Sequence, residues 1–388
     1  MQAEANKLLK DAVDAGDVPG VVACVTDRSG TTYEAGFGKR TLGEPADMTP
    51  DTVVWIASMT KAITGAAVMQ QVERGHLELD APARSVLRYL GEVEVLEGFD
   101  DAGMPRTRAP RREITLRHLL THTSGFSYEF WNENIGSYQQ ATGIPDTNSC
   151  RNAALTTPLL FDPGERWDYG IGIDWAGKMV EAVSGQKLGV YLRENVLDPL
   201  GMTDTAFFIT PTMRERLATV HRRGIDDSLV PDPDLGMPQQ PEFEAGGGGL
   251  YATVPDYLRF VRMMLNEGRT DAGERLLRPD TVKRMSTNAM GDLRVRPLKT
   301  AIPSLSNDFE LPPGLDMQWG LTFMINNSAM PTGRSAGSLS WAGLANSYYW
   351  IDQSRGIGGV YATQIVPFAD SKSLPLYAAF EAIVYDAS

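Results

Sequence analysis

The segment Ser58-Met59-Thr60-Lys61 places a nucleophile and a base three residues apart. Residues i and i+3 lie on one face of a helix, so the Ser58 hydroxyl and the Lys61 amine can meet. A lysine near the start of an apolar helix loses hydration, which lowers its pKa from about 10.4. A neutral lysine can accept the serine proton, as histidine does in other hydrolases. The pattern indicates serine nucleophile chemistry, although S-x-x-K alone is common by chance.

A second serine pattern, Gly333-Arg334-Ser335-Ala336-Gly337, matches the G-x-S-x-G nucleophile elbow. That elbow requires a histidine later in the chain and a helix directly after the serine. The segment that follows is strand-like, and no histidine follows residue 221. All four histidines precede the motif: His76, His118, His122 and His221. The sequence therefore predicts a Gly/Ser loop before a strand, with no nucleophile at Ser335.

The element that must position Ser58 and Lys61 is a helix predicted over residues 55–74. Its apolar residues recur at intervals of three and four, and Gly75 follows its end. Because most of its faces are apolar, we expect it to be buried between two lobes. A glycine run at 246–249 lacks the Lys-Ser/Thr of a phosphate-binding loop, so close backbone packing is expected there.

The rest of the chain divides into three regions by its patterning. An N-terminal helix and a β-hairpin come first, the middle is mainly helical with few strand signals, and strands return near the end. The predicted segments are a helix at 3–15, strands at 18–26 and 31–38, helices at 116–121, 174–183, 188–195, 254–267 and 374–385, and strands at 318–326, 338–351 and 356–366. We predict an α/β domain from residues 1–60 and 245–388, a mostly helical domain at 61–244, and the active site at their interface.

Composition excludes several classes of protein. The chain has 388 residues, of which 42% are apolar, and a formal net charge of −13. Such an acidic chain is not expected to bind nucleic acid or an anionic membrane. No uncharged apolar run is long enough to span a bilayer. The N-terminal residues do not resemble a signal peptide, so a cytoplasmic protein is expected, although a trimmed leader would leave the same pattern.

Metal and cofactor chemistry has no support in the sequence. Two cysteines, Cys24 and Cys150, are too few for a disulfide framework or a zinc site, and free thiols are expected. Neither an H-E-x-x-H motif nor a P-loop is present, so we expect no metal and no cofactor.

Several segments, in order, resemble one known family. They are TVVWIASMTKAIT around Ser58, LRHLLTHTSGF at 116–126, FDPGERWDY at 161–169, VLDPLGMTDTAF at 196–207, GGGGLYAT at 246–253 and SWAG at 340–343. The chain resembles the serine β-lactamase-like superfamily with the class C β-lactamase fold, and is most similar to the family VIII carboxylesterases. The resemblance implies an α/β (α+β) fold like that of β-lactamases and penicillin-binding proteins. In that fold an antiparallel sheet is flanked by helices and joined to a mostly helical lobe.

The resemblance also implies roles for particular residues. Ser58 matches the nucleophile, Lys61 its proton acceptor and Tyr169 the tyrosine of the second motif. A phenol beside Lys61 is held partly as phenolate or relays a proton to the leaving group. The polar residue usual two positions after this tyrosine is absent, because Ile171 stands there.

The third motif departs from the Lys-Thr-Gly of β-lactamases, because Trp341-Ala342-Gly343 stands in its place. The missing lysine would supply positive charge for a substrate carboxylate, whereas tryptophan supplies an apolar face. This change favours uncharged esters. By the same resemblance, the backbone N–H groups of Ser58 and Leu344 form the oxyanion hole.

Further residues are weaker candidates. We predict that Trp341, Gly343, Tyr128 and Trp131 contact the substrate, although core packing is an equal alternative for the aromatic residues near the site. His118 and His122 are expected to make structural hydrogen bonds. Asp174, five residues after Tyr169, is expected to be a solvated or capping carboxylate, with a hydrogen bond within the site as the alternative.

These observations predict a serine carboxylesterase that hydrolyses small uncharged esters through an acyl-Ser58 intermediate. Three alternatives remain: a β-lactamase or D-Ala-D-Ala peptidase, an acyltransferase of the lovastatin-pathway type, and a non-catalytic penicillin-binding-like module. The sequence does not separate water from an alcohol as the acyl acceptor. The partner expected in every catalytic case is a small molecule.

Overall fold

The structure is a computed structural model that describes residues 1–387. Fourteen strands form within these residues, most of them short. They are β1 (Gly20–Asp27), β2 (Thr31–Gly38), β3 (Val53–Trp55), β4 (Val95–Phe99), β5 (Pro105–Arg108), β6 (Val220–Arg223), β7 (Leu229–Asp232), β8 (Tyr251–Thr253), β9 (Met317–Trp319), β10 (Met324–Asn326), β11 (Leu339–Gly343), β12 (Ser347–Asp352), β13 (Ile357–Ala362) and β14 (Ile365–Val366).

Eleven α-helices accompany these strands in the described residues. They are α1 (Gln2–Asp14), α2 (Thr60–Glu73), α3 (Leu116–Leu120), α4 (Glu133–Thr142), α5 (Gly172–Ser184), α6 (Leu188–Leu192), α7 (Asp198–Leu200), α8 (Pro211–Arg214), α9 (Val254–Leu265), α10 (Pro279–Met285) and α11 (Ser373–Asp386). Helices α2 to α8 all lie in the middle of the sequence, where a mostly helical region is predicted.

The largest sheet has seven antiparallel strands in the order β2-β1-β13-β12-β11-β10-β9. It joins the two ends of the chain, because β1 near the N-terminus pairs with β13 near the C-terminus. This arrangement confirms the predicted fold class, an antiparallel sheet flanked by helices beside a mostly helical region. The domain boundaries at residues 60 and 245 stay a prediction.

Helices cover both faces of this sheet. A side chain at Gly358 would meet Val261 of α9, whereas one at Gly359 would meet the Trp350 ring. Trp350 in turn packs against Phe380 of α11. Since successive residues of a strand face opposite sides, α9 and α11 lie on opposite faces of the sheet. Two glycines in β13 leave room for both layers.

The structure refines several predicted elements. The helix predicted over 55–74 begins as α2 only at Thr60, after a short 3-10 helix at Ala57–Met59. Burial of α2 is confirmed, since twelve of its 14 residues are buried. The strand predicted at 338–351 is a hairpin, because Asn346 has a left-handed backbone (φ 57°) and turns the chain between β11 and β12. Likewise, the strand predicted at 318–326 is the pair β9 and β10.

Two hairpins, β4–β5 and β6–β7, lie in the region where few strands were predicted. Their strands are only four or five residues long, and they carry several arginines in place of an alternating apolar pattern. A strand that short has too few residues to show a period of two. The sequence pattern therefore does not indicate that these segments pair as strands.

The Gly333–Gly337 segment forms a turn before β11, as predicted. Arg334 is buried there and pairs with Glu381 of α11 at 3.3 Å. The Ser335 N–H donates to Asp352 at 2.9 Å. These contacts attach the turn to the last helix and the sheet, which explains its glycines and serine without catalysis.

Both cysteines are buried free thiols, which confirms the prediction for Cys24 and Cys150. None of the helices formed by residues 1–387 combines the length and the apolar character that a membrane crossing requires.

Candidate active site

The turn that carries Ser58 is held in a strained conformation. Ala57 has φ 43°, a left-handed conformation that costs a residue with a Cβ atom roughly 1 kcal/mol or more. Strand β11 approaches this turn closely: a Cβ atom at Gly343 would lie 2.4 Å from the Ile56 carbonyl oxygen. Glycine at the end of β11 therefore allows the sheet to approach Ser58, and Leu344 lines the same cavities as Ser58.

Lys61 lies one turn further on, in the first turn of α2, with no solvent exposure. Its Nζ atom lies 3.3 Å from Ser58 Oγ, 3.0 Å from the Tyr128 hydroxyl and 2.6 Å from the Gly247 carbonyl oxygen. Burial lowers the pKa of Lys61 to about 7, and the negative charge of Asp174 opposes that shift. A neutral amine beside the serine is thus accessible near neutral pH, as expected for a lysine at the start of a buried apolar helix.

Tyr169 completes the cluster on the side of the sheet. Its hydroxyl accepts a hydrogen bond of 2.9 Å from Trp341 Nε1, and Lys61 Nζ lies 4.6 Å from the centre of its ring. Burial raises the pKa of Tyr169 above its ordinary value, and hydrogen bonds with Ser58 and Trp341 offset only part of that rise. The phenol is therefore neutral at pH 7, which favours a proton relay over a standing phenolate.

Trp341 does more than present the apolar face predicted for it. Where β-lactamases carry a lysine, its indole N–H donates to the oxygen of Tyr169. A neutral donor stabilises negative charge on that oxygen during proton transfer without adding a cation that would attract a substrate carboxylate.

The two histidines near the site have structural roles, as predicted. His118 Nδ1 accepts the Thr115 N–H in a capping box at the start of α3. His122 accepts the Gly170 N–H at 3.3 Å, and its ring centre lies 4.6 Å from that of Tyr169. Burial lowers the pKa of His122 well below its ordinary value, so it supports the Tyr169 ring as a neutral group.

Two residues lie closer to the chemistry than the sequence indicated. Tyr128, predicted only as a pocket residue, also contacts Lys61 directly. The prediction of a solvated or capping Asp174 is wrong: the residue is 2% exposed and accepts the Gly247 N–H at 2.8 Å. The available signal was a carboxylate within an otherwise apolar segment, Ile171 to Trp175, five residues after Tyr169.

Two small cavities meet at Ser58, and Phe130 and Leu344 line both. The first, which we name the Tyr128 cavity, has space of about 40 Å³ for water-sized molecules; further residues in its wall are Trp55, Tyr128, Thr147, Asn148, Met237 and Ala245. The second, named the Tyr169 cavity, has about 20 Å³; its wall includes Trp131, Tyr169, Leu298, Trp341, Gly343 and Phe368. The predicted contact residues Tyr128, Trp131, Trp341 and Gly343 thus all line one of the two cavities.

Larger depressions elsewhere on the molecule lack comparable chemistry. One of about 640 Å³ lies beside the β6–β7 hairpin, where Arg223 is already paired with Asp370. Within residues 1–387, no three His, Cys, Asp or Glu side chains converge in a way that would hold a metal ion. Volume alone would therefore point away from Ser58, whereas the chemistry of the side chains points to it.

The chain is similar to known proteins in sequence and in structure. The family model described as Beta-lactamase matches residues 5–382. A lovastatin esterase of Penicillium rubens is 33% identical, over 92% of this chain and 91% of its own. A monacolin J acid methylbutanoyltransferase of Aspergillus terreus is also 33% identical, over 97% of this chain and 94% of its own. A mutant simvastatin synthase from Aspergillus terreus superposes with a TM-score of 0.87 at 32% identity, over 99% of this chain and 96% of that one.

These relatives are esterases and acyltransferases, so they support an enzyme of the serine hydrolase type. The family model spans nearly the whole described chain, including all the segments on which the resemblance rests. The chain therefore belongs to the beta-lactamase family.

Proposed function

We propose that the protein is an acyltransferase that forms an acyl-Ser58 intermediate and passes a short, uncharged acyl group to an alcohol. The observation that carries this proposal is the position of Ser58 where two largely apolar cavities meet, beside Lys61 and Tyr169. Acyl transfer between two organic molecules needs one site for the acyl chain and another for the alcohol. The similarity to a methylbutanoyltransferase supports the same reaction class.

The reaction proceeds in two half-reactions. Ser58 Oγ attacks the carbonyl carbon of the donor while neutral Lys61 accepts its proton. The carbon–oxygen bond to the leaving alcohol then breaks, Tyr169 delivers a proton to the departing oxygen, and Lys61 reprotonates Tyr169. The second half-reaction runs the same steps in reverse with a new hydroxyl group. The N–H groups of Ser58 and Leu344 stabilise the oxyanion in both halves.

The route of the proton indicates which part of the substrate occupies each cavity. Because Tyr169 protonates the departing oxygen, the alcohol lies in the Tyr169 cavity, where Tyr169 is part of the wall. The acyl chain then occupies the Tyr128 cavity. Its space of about 40 Å³ for water-sized molecules favours a short acyl chain.

Ester hydrolysis is the second candidate function, and the similarity to a lovastatin esterase favours it. In that reaction water takes the place of the acceptor alcohol in the second half-reaction. Turnover of β-lactams is not expected, because Trp341 stands where a lysine would bind the substrate carboxylate.

The two candidate functions differ in whether the acyl-enzyme transfers its acyl group to an alcohol or to water. The purified protein is given p-nitrophenyl butyrate with and without monacolin J acid, the acceptor that a relative's name indicates. We expect butyryl ester of the alcohol to exceed free butyrate at millimolar acceptor, as measured by liquid chromatography and mass spectrometry. Only free butyrate, with several alcohols tested, would establish an esterase. Faster turnover of a chromogenic cephalosporin than of any ester would contradict both.

The cavity assignment makes a prediction about chain length. Met237→Ala widens the Tyr128 cavity, so we expect the hexanoate-to-butyrate ratio of kcat/KM to rise by roughly 5- to 20-fold, the equivalent of about 1–2 kcal/mol. Leu298→Ala is the matched control, because it widens the Tyr169 cavity. It should leave the acyl ratio nearly unchanged and alter the preference among alcohols. A reversed pattern, with Leu298→Ala changing the acyl ratio, would exchange the two assignments.

A further inference from the structure

The contacts of Lys61 pose a question of hydrogen-bond direction. A neutral amine has two N–H donors and one lone pair, and three neighbours surround Nζ: Ser58, Tyr128 and Gly247. The Gly247 carbonyl oxygen can only accept. The Tyr128 hydroxyl can accept or donate. Only if Tyr128 accepts does the lone pair of Lys61 remain free to take the proton of Ser58.

Asp174 determines that direction. Asp174 and Tyr128 line the same cavity, burial and the negative charge of Asp174 raise the pKa of the Tyr128 hydroxyl, and the same charge favours the protonated form of Lys61. An ionised carboxylate attracts a donor and cannot supply a proton, so its charge turns the single proton of Tyr128 towards Asp174. The oxygen of Tyr128 is then left to accept from Lys61, and the lone pair of the amine faces Ser58.

The glycine run at 246–249 packs against the carboxylate of Asp174. The Gly247 N–H donates to Asp174 Oδ1 at 2.8 Å, while the carbonyl of the same residue accepts from Lys61. A Cβ atom at Gly247 would lie 2.4 Å from Asp174 Oδ2. The carboxylate therefore occupies the place of a side chain at this position. Close backbone packing was predicted for the run, and its partner here is Asp174.

We propose that Asp174 is a positioning residue of the Ser58 site, which acts through Tyr128 and Gly247 to orient the lone pair of Lys61 towards Ser58. The proposal rests on the proposed function, since it concerns how Ser58 is activated. Asp174 touches no reacting atom in this scheme. It lies in the first turn of α5, and α2, which carries Lys61, packs against α5.

The titratable groups that face Lys61 are few. Tyr128 and Tyr169 have pKa values raised by burial, and burial lowers that of His122 well below its ordinary value, so all three are neutral at pH 7. Asp174 is the acidic group of the set, with a pKa that burial raises and Lys61 lowers.

The thiol of Cys150, near Asp174, is also neutral at pH 7, because burial raises its pKa to about 12. Because the other groups named here are neutral, Asp174 supplies the negative charge that favours the protonated form of Lys61. A neutral residue at position 174 removes that charge.

The test compares Asp174→Asn and Tyr128→Phe with the wild-type protein from pH 5 to pH 10. The readout is the rate at which a fluorophosphonate labels Ser58, measured by intact mass. In Asp174→Asn we expect the labelling midpoint to fall by roughly one pH unit, since the charge that favours protonated Lys61 is gone. We also expect the plateau rate to fall by about 10- to 100-fold, because Tyr128 is free to donate to the lone pair. Tyr128→Phe should lower the plateau similarly, and the double variant should lose little more.

Asp256→Asn is the matched control for a purely structural effect. Asp256 is also a buried carboxylate near a helix N-terminus, where it accepts from Asp204 and Thr205. We expect it to lose thermal stability while keeping its midpoint and plateau. An unchanged pH profile in folded Asp174→Asn and Tyr128→Phe, or the same change in Asp256→Asn, would overturn the proposal.

A second measurement separates this proposal from the proposed function. Titration of Lys61 by NMR of ¹³Cε-labelled lysine reports its pKa without any reaction at Ser58. If the wild-type protein is not labelled at Ser58, the proposed function fails, and the NMR titration still decides the role of Asp174. A Lys61 pKa that does not move in Asp174→Asn would then contradict the proposal by itself.

Discussion

Alanine at position 58 is expected to lower kcat/KM for p-nitrophenyl butyrate by about 10⁵-fold, because the variant lacks the oxygen that forms the acyl-enzyme. Ser58→Ala should still accelerate the reaction slightly relative to the uncatalysed rate, since the oxyanion-hole donors and the cavities remain. The measurement is a progress curve for p-nitrophenol release together with intact mass after acid quench. The wild-type protein should gain the mass of one butyryl group, and Ser58→Ala should gain none.

Ser335→Ala is the control for this experiment, because Ser335 lies in the rejected G-x-S-x-G segment. Its backbone N–H contacts Asp352 and its carbonyl accepts from Ser338, and neither contact needs the side chain. We expect activity within about twofold of the wild-type value. Retained turnover in Ser58→Ala, or its loss in Ser335→Ala, would place the nucleophile elsewhere.

Replacement of Lys61 by methionine is expected to lower kcat/KM by about 10³- to 10⁴-fold, because Ser58 then lacks a proton acceptor. The variant should also change the pH dependence. With a pKa of about 7, wild-type Lys61 is protonated and inactive as a base below pH 7, so activity rises with pH through about 7 and is level above it. In Lys61→Met this rise should disappear from a pH profile of kcat/KM.

Arginine at the same position separates charge from basicity. A guanidinium group keeps the positive charge but does not lose its proton in proteins, so Lys61→Arg should be nearly as inactive as Lys61→Met. Lys178→Met is the control, because Lys178 lies in α5 and pairs with Glu181. It should keep both the wild-type rate and the rise through pH 7. A normal rate in Lys61→Arg would show that the lysine provides only charge.

Sequence patterns alone predicted helix α2 and sheet strands from both ends of the chain. The apolar spacing over residues 55–74 reflects a helix that is buried on nearly every side, so it left a clear signal. Strand β1 is an eight-residue, largely apolar segment, and β2 follows it after a recognisable turn, so the hairpin was predicted. Strand β13 lies within the strand predicted at 356–366. Short elements such as β4 and β6 were missed, since their pairing depends on neighbours distant in the chain.

Within the site, the same distinction applies to individual residues. Ser58 and Lys61 are neighbours along one turn, so their meeting follows from local geometry. Tyr169 and Trp341 were placed by resemblance to a family, and the hydrogen bond between them joins residues 172 positions apart. Asp174 was misjudged because its partners Tyr128 and Gly247 come from two other segments, and a carboxylate has no partner visible in its own stretch of sequence.

The sequence by itself determined the reaction type to be sought, because all four histidines come early in the chain and the S-x-x-K pair of Ser58 on an apolar helix offers Lys61 as the base for a serine. It also determined the family, through short segments spread over the chain. Only the tertiary structure decided how that base is tuned and oriented. Lys61 Nζ is fully buried, and two groups from distant segments act on it. They are the carboxylate of Asp174, 113 residues away, and the carbonyl oxygen of Gly247, 186 residues away. Burial and hydrogen-bond direction are properties of three-dimensional neighbours, which no spacing along the chain specifies.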